Sequence, residues 1–180
     1  MIKIATIEDE ENIRQEIVRY IKKGIGSIEG VEVDVYESAE RYLLVGGRYD
    51  LVISDIELPG ISGLELGKRI KENNPDVYLV FLTSHSEFAS ESYIIEAYQY
   101  ILKRDMKERL PAVLQKIYQE KQKESQNFFW IGGVTDQRKL YHKDIICIRK
   151  VKGQKYVEFV MVNGAYKERL ALHQIFEDLK

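Results

Sequence analysis

The sequence is poor in the residues that usually announce chemistry. One cysteine among 180 residues, Cys147, excludes an internal disulfide. Set in the apolar run Ile145–Ile148, it reads as a buried small side chain. The histidines, His85, His142 and His173, are scattered and make no metal-like constellation. No stretch approaches the roughly 18 apolar residues of a membrane helix. Met1-Ile2-Lys3-Ile4 enters a strand-like pattern directly and lacks a signal-peptide layout. A cytoplasmic location without a membrane partner is therefore expected. There is no internal repeat and no low-complexity tract. Apolar content of 44% and charged content of 31% suit a globular chain, with room for one domain and a remainder, or two small ones.

Net charge is also low, at −2, but it is unevenly spread. Residues 1–126 hold 17 Lys+Arg against 23 Asp+Glu, whereas residues 127–180 hold 10 against 6. An acidic first part and a basic second part suggest two units with different partners, although a solvated surface explains so small an excess equally well.

The first part alternates between two periods. Strand patterns at Ile2–Ile7, Val31–Val35, Leu51–Ser54, Val77–Leu82 and Tyr100–Leu102 alternate with helical spacing at Asn12–Lys23, after Ser38, at Leu64–Glu72, Glu87–Ala97 and Leu110–Lys123. Gly24 and Gly26 are expected to stop the first helix, and Pro111 to fall in the first turn of the last. Five βα units argue α/β architecture, a doubly wound parallel sheet with helices on both faces. "QEKQKESQN" (119–127) reads as a helix end running into a linker at 123–127. Beyond it the pattern becomes β-rich: strands are expected at Phe128–Ile131, Lys139–Tyr141, Ile145–Ile148 and Tyr156–Val162. Turns fall at Gly132-Gly133, Lys152-Gly153 and Asn163-Gly164, and a short helix at Leu172–Leu179. So small a second unit has a small core.

Chemistry gathers at strand ends. The first strand ends on Glu8 and Asp9, the third on Asp55, the fourth on Thr83-Ser84 and the fifth on Lys103. In an open α/β sheet, ligands collect at the carboxyl ends of the strands. If the first and third strands are neighbours, Glu8, Asp9 and Asp55 converge and repel one another. A divalent cation with all-oxygen ligation, Mg²⁺ above all, removes that conflict. A hydroxyl and an ammonium facing such a cluster suit a phosphoryl group, and a carboxylate can serve as its nucleophile. Taken singly, each residue has an ordinary reading. Asp55 is a turn former, Glu8 and Asp9 are first-turn acids, Thr83 is a cap and Lys103 is a solvated lysine. Their coincidence at one end of one sheet favours phosphorylation of one carboxylate.

The stretches "IATIEDEENIR", "LVISDIELPGISGLEL", "VFLTSHSEFA" and "YQYILKRD" together resemble a response-regulator receiver domain, over residues 1 to about 120. The resemblance implies strand order 2-1-3-4-5 and a receiver over 1–122. It makes Asp55 the acceptor of phosphate from a sensor histidine kinase. Asp9, Asp55 and the Glu57 main-chain carbonyl are then Mg²⁺ ligands, with Glu8 at the family's second acidic position, acting through water. Thr83 and Lys103 hold the phosphoryl oxygens, Thr83 and Tyr100 form the switch, and the fourth helix, fifth strand and fifth helix pair with a second copy. Self-dephosphorylation is the most catalysis expected; this is not otherwise an enzyme. One departure stands out: proline usually follows the lysine with a cis bond, and here the pair is Lys103-Arg104. A cis bond before a non-proline costs about 2.5–4 kcal/mol, so a trans bond is expected.

Residues 128–180, "LYHKDIICIRKVKGQKYVEFVMVNGAYKERLALHQIFEDLK" above all, resemble the start of a LytTR-type DNA-binding domain. Such domains continue further, so the resemblance implies an incomplete β-rich domain at Lys180. It places Lys150, Lys152, Gln154 and Lys155 on a DNA-facing loop, with lysines toward phosphates and Gln154 toward a base edge. An ordinary solvated hairpin is the alternative. At the level of function the alternatives are a receiver whose tail binds protein and not DNA, and a metal-dependent phosphohydrolase. The acid's place after the third strand, not the first, argues against the phosphohydrolase.

Overall fold

Side-chain parity along the central strands determines how this chain is layered. In β1 (Ile2–Ile7), β3 (Leu51–Ser54) and β4 (Tyr78–Thr83), Ile4, Ile53, Val80 and Leu82 join one apolar cluster. Ala5, Ile7, Val52, Leu79 and Phe81 join another. Successive strand residues face opposite ways, so these strands must be covered on both sides, the condition of a helix-wound parallel sheet. The computed structural model describes residues 2–25, 30–132, 137–150, 153–170 and 175. Its first sheet has five parallel strands in the expected order, with β2 (Val31–Tyr36) and β5 (Gln99–Leu102) at the edges: β2-β1-β3-β4-β5.

The helices are α1 (Glu11–Ile25), α2 (Ala39–Val45), α3 (Gly63–Asn73), α4 (Ala89–Ile94) and α5 (Met106–Gln126). α1 and α5 cover one face with Ile17, Ile21, Leu110, Leu114 and Ile117. α2 and α3 cover the other with Tyr42, Leu66 and Ile70. Ser38 and Ser62 cap α2 and α3, each accepting from the amide three residues on.

Several boundaries differ from expectation. Gly24 lies inside α1, and Pro111 lies in the second turn of α5 rather than the first. One close approach accounts for the glycine: a Cβ at Gly24 would sit 2.9 Å from the Pro111 Cα. α4 is only six residues long, and Glu96 just beyond it adopts φ 59°, a left-handed conformation that breaks the helix before β5. The Lys103-Arg104 bond is trans, and a 3-10 turn over Lys103–Asp105 leads into α5.

The chain divides into two compact units, residues 1–118 and 119–180. Residues 123–126 continue α5, so the segment expected as linker is largely helical. The second unit holds an antiparallel ribbon, β6 (Phe128–Ile131) with β7 (Arg138–Tyr141). It also holds an antiparallel sheet of β8 (Ile145–Lys150), β9 (Val157–Met161) and β10 (Gly164–Glu168). Its core comprises Phe129, Ile131, Leu140, Val157, Phe159 and Ile175. Cys147 is exposed, contrary to expectation. A register shift between Ile145 and Cys147 extrudes Ile146, and Ile148 pairs with the buried Phe159, so Cys147 points outward. Gly133, Val151, Lys152 and, apart from Ile175, the expected helix at Leu172–Leu179 lie outside the described residues.

Candidate phosphoryl and cation site

Register brings the strand ends together. Ile7 pairs with Ser54 and Thr83 with Leu102, so the residues that follow β1, β3 and β5 emerge on one edge with the end of β4. The Asp55 amide donates to the Ile7 carbonyl (2.9 Å), which continues the ladder up to the carboxylate. One oxygen each from Glu8, Asp9 and Asp55 lie within 4.8 Å of one another. Glu8 and Asp55 are buried, and Asp9 is exposed.

Lys103 neutralises part of this charge. Its Nζ lies 2.7 Å from Asp55 Oδ2, 2.9 Å from Glu8 Oε2 and 3.7 Å from Glu10 Oε1. Burial, the largest single influence, opposes its charge, but the hydrogen bonds and charges of Asp55 and Glu8 together hold the ammonium above the ordinary lysine range. Burial pushes the Glu8 carboxyl up to about 7, against the pull of Lys103. Crowding by Asp55 is a lesser contribution, so desolvation rather than repulsion dominates at Glu8. Glu8 Oε1 accepts from Lys103 at 3.0 Å, while Glu8 Oε2 is buried without a hydrogen bond despite its close ion pair.

This donor set fits a hard divalent cation. Opposite ligands of Mg²⁺ stand about 4.2 Å apart in an octahedron of roughly 2.1 Å radius. Neighbouring ligands stand about 3 Å apart, so the three carboxylate oxygens, now within 4.8 Å of one another, lie close enough to close in around one ion directly or through its water.

Other expected residues sit at the rim. Thr83 ends β4 fully buried, and its Oγ1 accepts from the His85 amide (3.3 Å). Among the described residues, no hydrogen bond joins it to Asp55. Tyr100 is half-buried, and its hydroxyl donates to the His85 carbonyl. Glu57 lies two residues beyond Asp55, and its amide donates to Asp55 Oδ1 (3.3 Å). Lys150, Gln154 and Lys155 are exposed on either side of the turn at Gly153. Lys152 lies outside the described residues.

Several supporting contacts carry no signature in the sequence. Arg14 of α1 donates to the carbonyls of Glu8 and Asp9, both at 2.7 Å, which braces the loop that carries both acids. His85 Nε2 lies 2.6 Å from Glu57 Oε2, and Nδ1 lies 3.1 Å from Glu87 Oε1. The Glu87 hydrogen bond, with Glu57 adding, raises the His85 pKa. Arg14 is marked in sequence only by its place on the first turns of α1, and His85 only by following Thr83-Ser84.

The response regulator receiver domain family matches residues 4–115, and the chain belongs to that family. It is similar to the transcriptional regulatory protein LytR of Staphylococcus aureus, 29% identical over 70% of this chain and 51% of that one. It is also similar to the sensory transduction protein LytT of Bacillus cereus, 30% identical over 144 residues, 79% of this chain and 57% of that one. The chain thus spans about half the length of these curated relatives. The LytT match is longer than the first unit, so the likeness runs into the second. Among solved structures, response regulator TrrA from Thermotoga maritima, in complex with Mg(2+)-BeF, is 35% identical with a TM-score of 0.56, covering 65% of this chain and 99% of that one. Among the described residues, no helix is long and apolar enough to cross a membrane.

Proposed function

We propose that Asp55 accepts a phosphoryl group from a sensor histidine kinase, and that the phosphorylated receiver controls transcription through the second unit. The observation that carries this reading is the buried Asp55 carboxylate, 2.7 Å from Lys103 and clustered with Glu8 and Asp9. An Asp55 carboxylate oxygen attacks phosphorus, the phosphorus–nitrogen bond of the donor phosphohistidine breaks, and the imidazole leaves with the bonding pair. Lys103 meets the phosphoryl oxygens with its ammonium, and the Thr83 hydroxyl donates to them. Mg²⁺, held by Asp9, Asp55 and the Glu57 carbonyl with Glu8 through water, would offset the remaining negative charge. Its use by this chain is supported by the fit of the donor set and by the likeness to TrrA.

Occupation of the site draws Thr83 inward, and the Tyr100 hydroxyl leaves the His85 carbonyl to follow it, a population shift. The exposed Tyr93 and Ile94 of α4 support pairing of α4, β5 and α5 with a second copy. Residues 1–122 form the receiver and 128–180 part of a LytTR-type domain, with Lys150, Lys152, Gln154 and Lys155 toward DNA. Pairing with a sensor kinase places the chain in the cytoplasm.

Incubation with acetyl phosphate and Mg²⁺ tests the reading. The expected result is a mass gain of one phosphoryl group, acid-stable and base-labile, absent in Asp55→Ala. No gain in the wild-type chain overturns it. DNA binding that weakens steeply with salt and strengthens on phosphorylation supports the transcriptional output. Its absence in this chain and in one extended past Lys180 favours a protein-binding tail.

A further inference from the structure

The loop from Asp55 to Gly63 joins β3 to α3 and carries Glu57. Its base is closed by its own atoms. The Gly63 amide donates to the Ile56 carbonyl (2.8 Å), and Asp55 Oδ1 accepts from the Ile56 amide (2.6 Å). A Cβ at residue 63 would lie 1.8 Å from the Asp55 carbonyl oxygen, so the closure needs glycine there. The tip, Leu58 to Ile61, has two anchors. The Leu58 side chain is buried in the core, and the Ile61 amide donates to Glu40 Oε1 of α2 at 2.7 Å, 21 residues back in sequence. Gly60 lies beneath the same oxygen: its φ is 79°, and a Cβ there would sit 2.3 Å from Glu40 Oε1. The carboxylate therefore fits closely over a residue that has no side chain.

Glu40 is mounted on a fixed element. α2 is capped by Ser38 and buries Ala39 and Tyr42 against the sheet. The Ile61 amide above all holds the Glu40 carboxyl below the usual carboxylate range. On its other side, the loop meets His85 through the Glu57 side chain. The Glu57 main-chain carbonyl thus lies between a base closed by Gly63 and a tip held by Glu40.

We infer that Glu40 is a positioning residue for the cation site: by binding the Ile61 amide over Gly60, it fixes the path of the Asp55–Gly63 loop and so the direction of the Glu57 carbonyl. Glu40 itself touches neither cation nor phosphate. The inference rests on the reading above, in which that carbonyl ligates Mg²⁺. The core anchors Leu58 independently, so losing the clamp affects the loop's path more than the fold.

The full chain and its Glu40→Ala, Glu40→Asp and Glu40→Gln variants are titrated with MgCl₂ by calorimetry. Initial rates of phosphoryl uptake from acetyl phosphate are measured at limiting and saturating Mg²⁺. Glu40→Ala is expected to weaken Mg²⁺ binding about three- to tenfold, the usual weight of one hydrogen bond. Its uptake rate falls at limiting Mg²⁺ and recovers at saturation. Glu40→Asp keeps the charge but is too short to reach Ile61, and it should match the alanine variant. It also serves as the second variant if Glu40→Ala fails to fold. Glu40→Gln keeps an acceptor oxygen and should return to within about twofold of wild type. Wild-type Mg²⁺ affinity in Glu40→Asp, or an equal loss in Glu40→Gln, overturns the clamp. A lowered unfolding midpoint with unchanged Mg²⁺ affinity also overturns it, because the contact is then only structural. A wild-type chain that takes up phosphate normally without binding Mg²⁺ overturns the cation reading, and the clamp with it. A wild-type chain that binds Mg²⁺ but takes no phosphate sinks the phosphoacceptor reading and leaves the clamp to the variants.

Discussion

The receiver packs two clusters of fifteen buried residues on either face of its sheet, whereas the second unit's core, among the described residues, has six. Charge follows the same division. The receiver buries Glu8 and Asp55 with Lys103 close by. Among the described residues, the second unit's ion pairs lie near the surface, as in Arg149–Glu158 at 2.6 Å and Lys167–Glu158 at 4.0 Å. Buried charge interacts strongly but costs desolvation, which only a deep core can sustain. The buried charge thus lies in the first unit, and residues 127–180 carry a net positive charge in the sequence.

Substitutions can break this contrast, beginning with the largest effect. Phe159→Ala empties the centre of the small core and should cost about 3–5 kcal/mol. Thermal unfolding should then lose the second unit's transition and keep the receiver's; a lowered receiver transition would show that the two cores are not independent. Lys103→Ala, with Mg²⁺ present, should slow phosphoryl uptake by about 10²–10³-fold, the usual weight of a charge-stabilising donor. Quench-flow mass spectrometry checks the rate, and a loss below about threefold would move Lys103 out of the reaction.

Glu8 sharpens the contrast through pH. Its folded pKa is raised from 4.5 to about 7. Its contribution to stability is therefore fully present below about pH 4.5 and is lost as pH rises through about 7. Without Mg²⁺, the receiver of the wild-type chain should become less stable across that window relative to Glu8→Gln, and Mg²⁺ should close the gap. Parallel denaturant curves at several pH values measure it, and a pH-independent difference would contradict the burial argument. Smallest of the four, Ser38→Ala removes the cap of α2 and should lower receiver stability by about 1 kcal/mol while leaving the second unit's transition in place.

The strand-end residues were legible because a period-2 pattern ends abruptly at Glu8, Asp55, Thr83 and Lys103, and a parallel sheet gathers such ends. The order of the strands was not in the periodicity; it came with the resemblance. The bracing contacts were hidden for a different reason. Arg14, Glu40 and His85 act by reaching main-chain or side-chain atoms of other loops, and no local pattern encodes that reach. In the second unit, β10 escaped notice because "GAYKE" lacks an apolar alternation, although its turn at Asn163-Gly164 was visible. Cys147 reads as buried in the sequence but is exposed, because one extra residue in β8 reverses the side on which a side chain lies. The small core gives few inward positions to count, so such a slip is harder to detect there than in the receiver.

On the proposed function, the phosphoryl group resides on Asp55. Treating the phosphorylated chain with borohydride reduces an aspartyl phosphate to homoserine, which peptide sequencing can locate. Homoserine is expected at position 55 alone. Its appearance at Asp9, or reduced Glu8 with Asp55 intact, would contradict it.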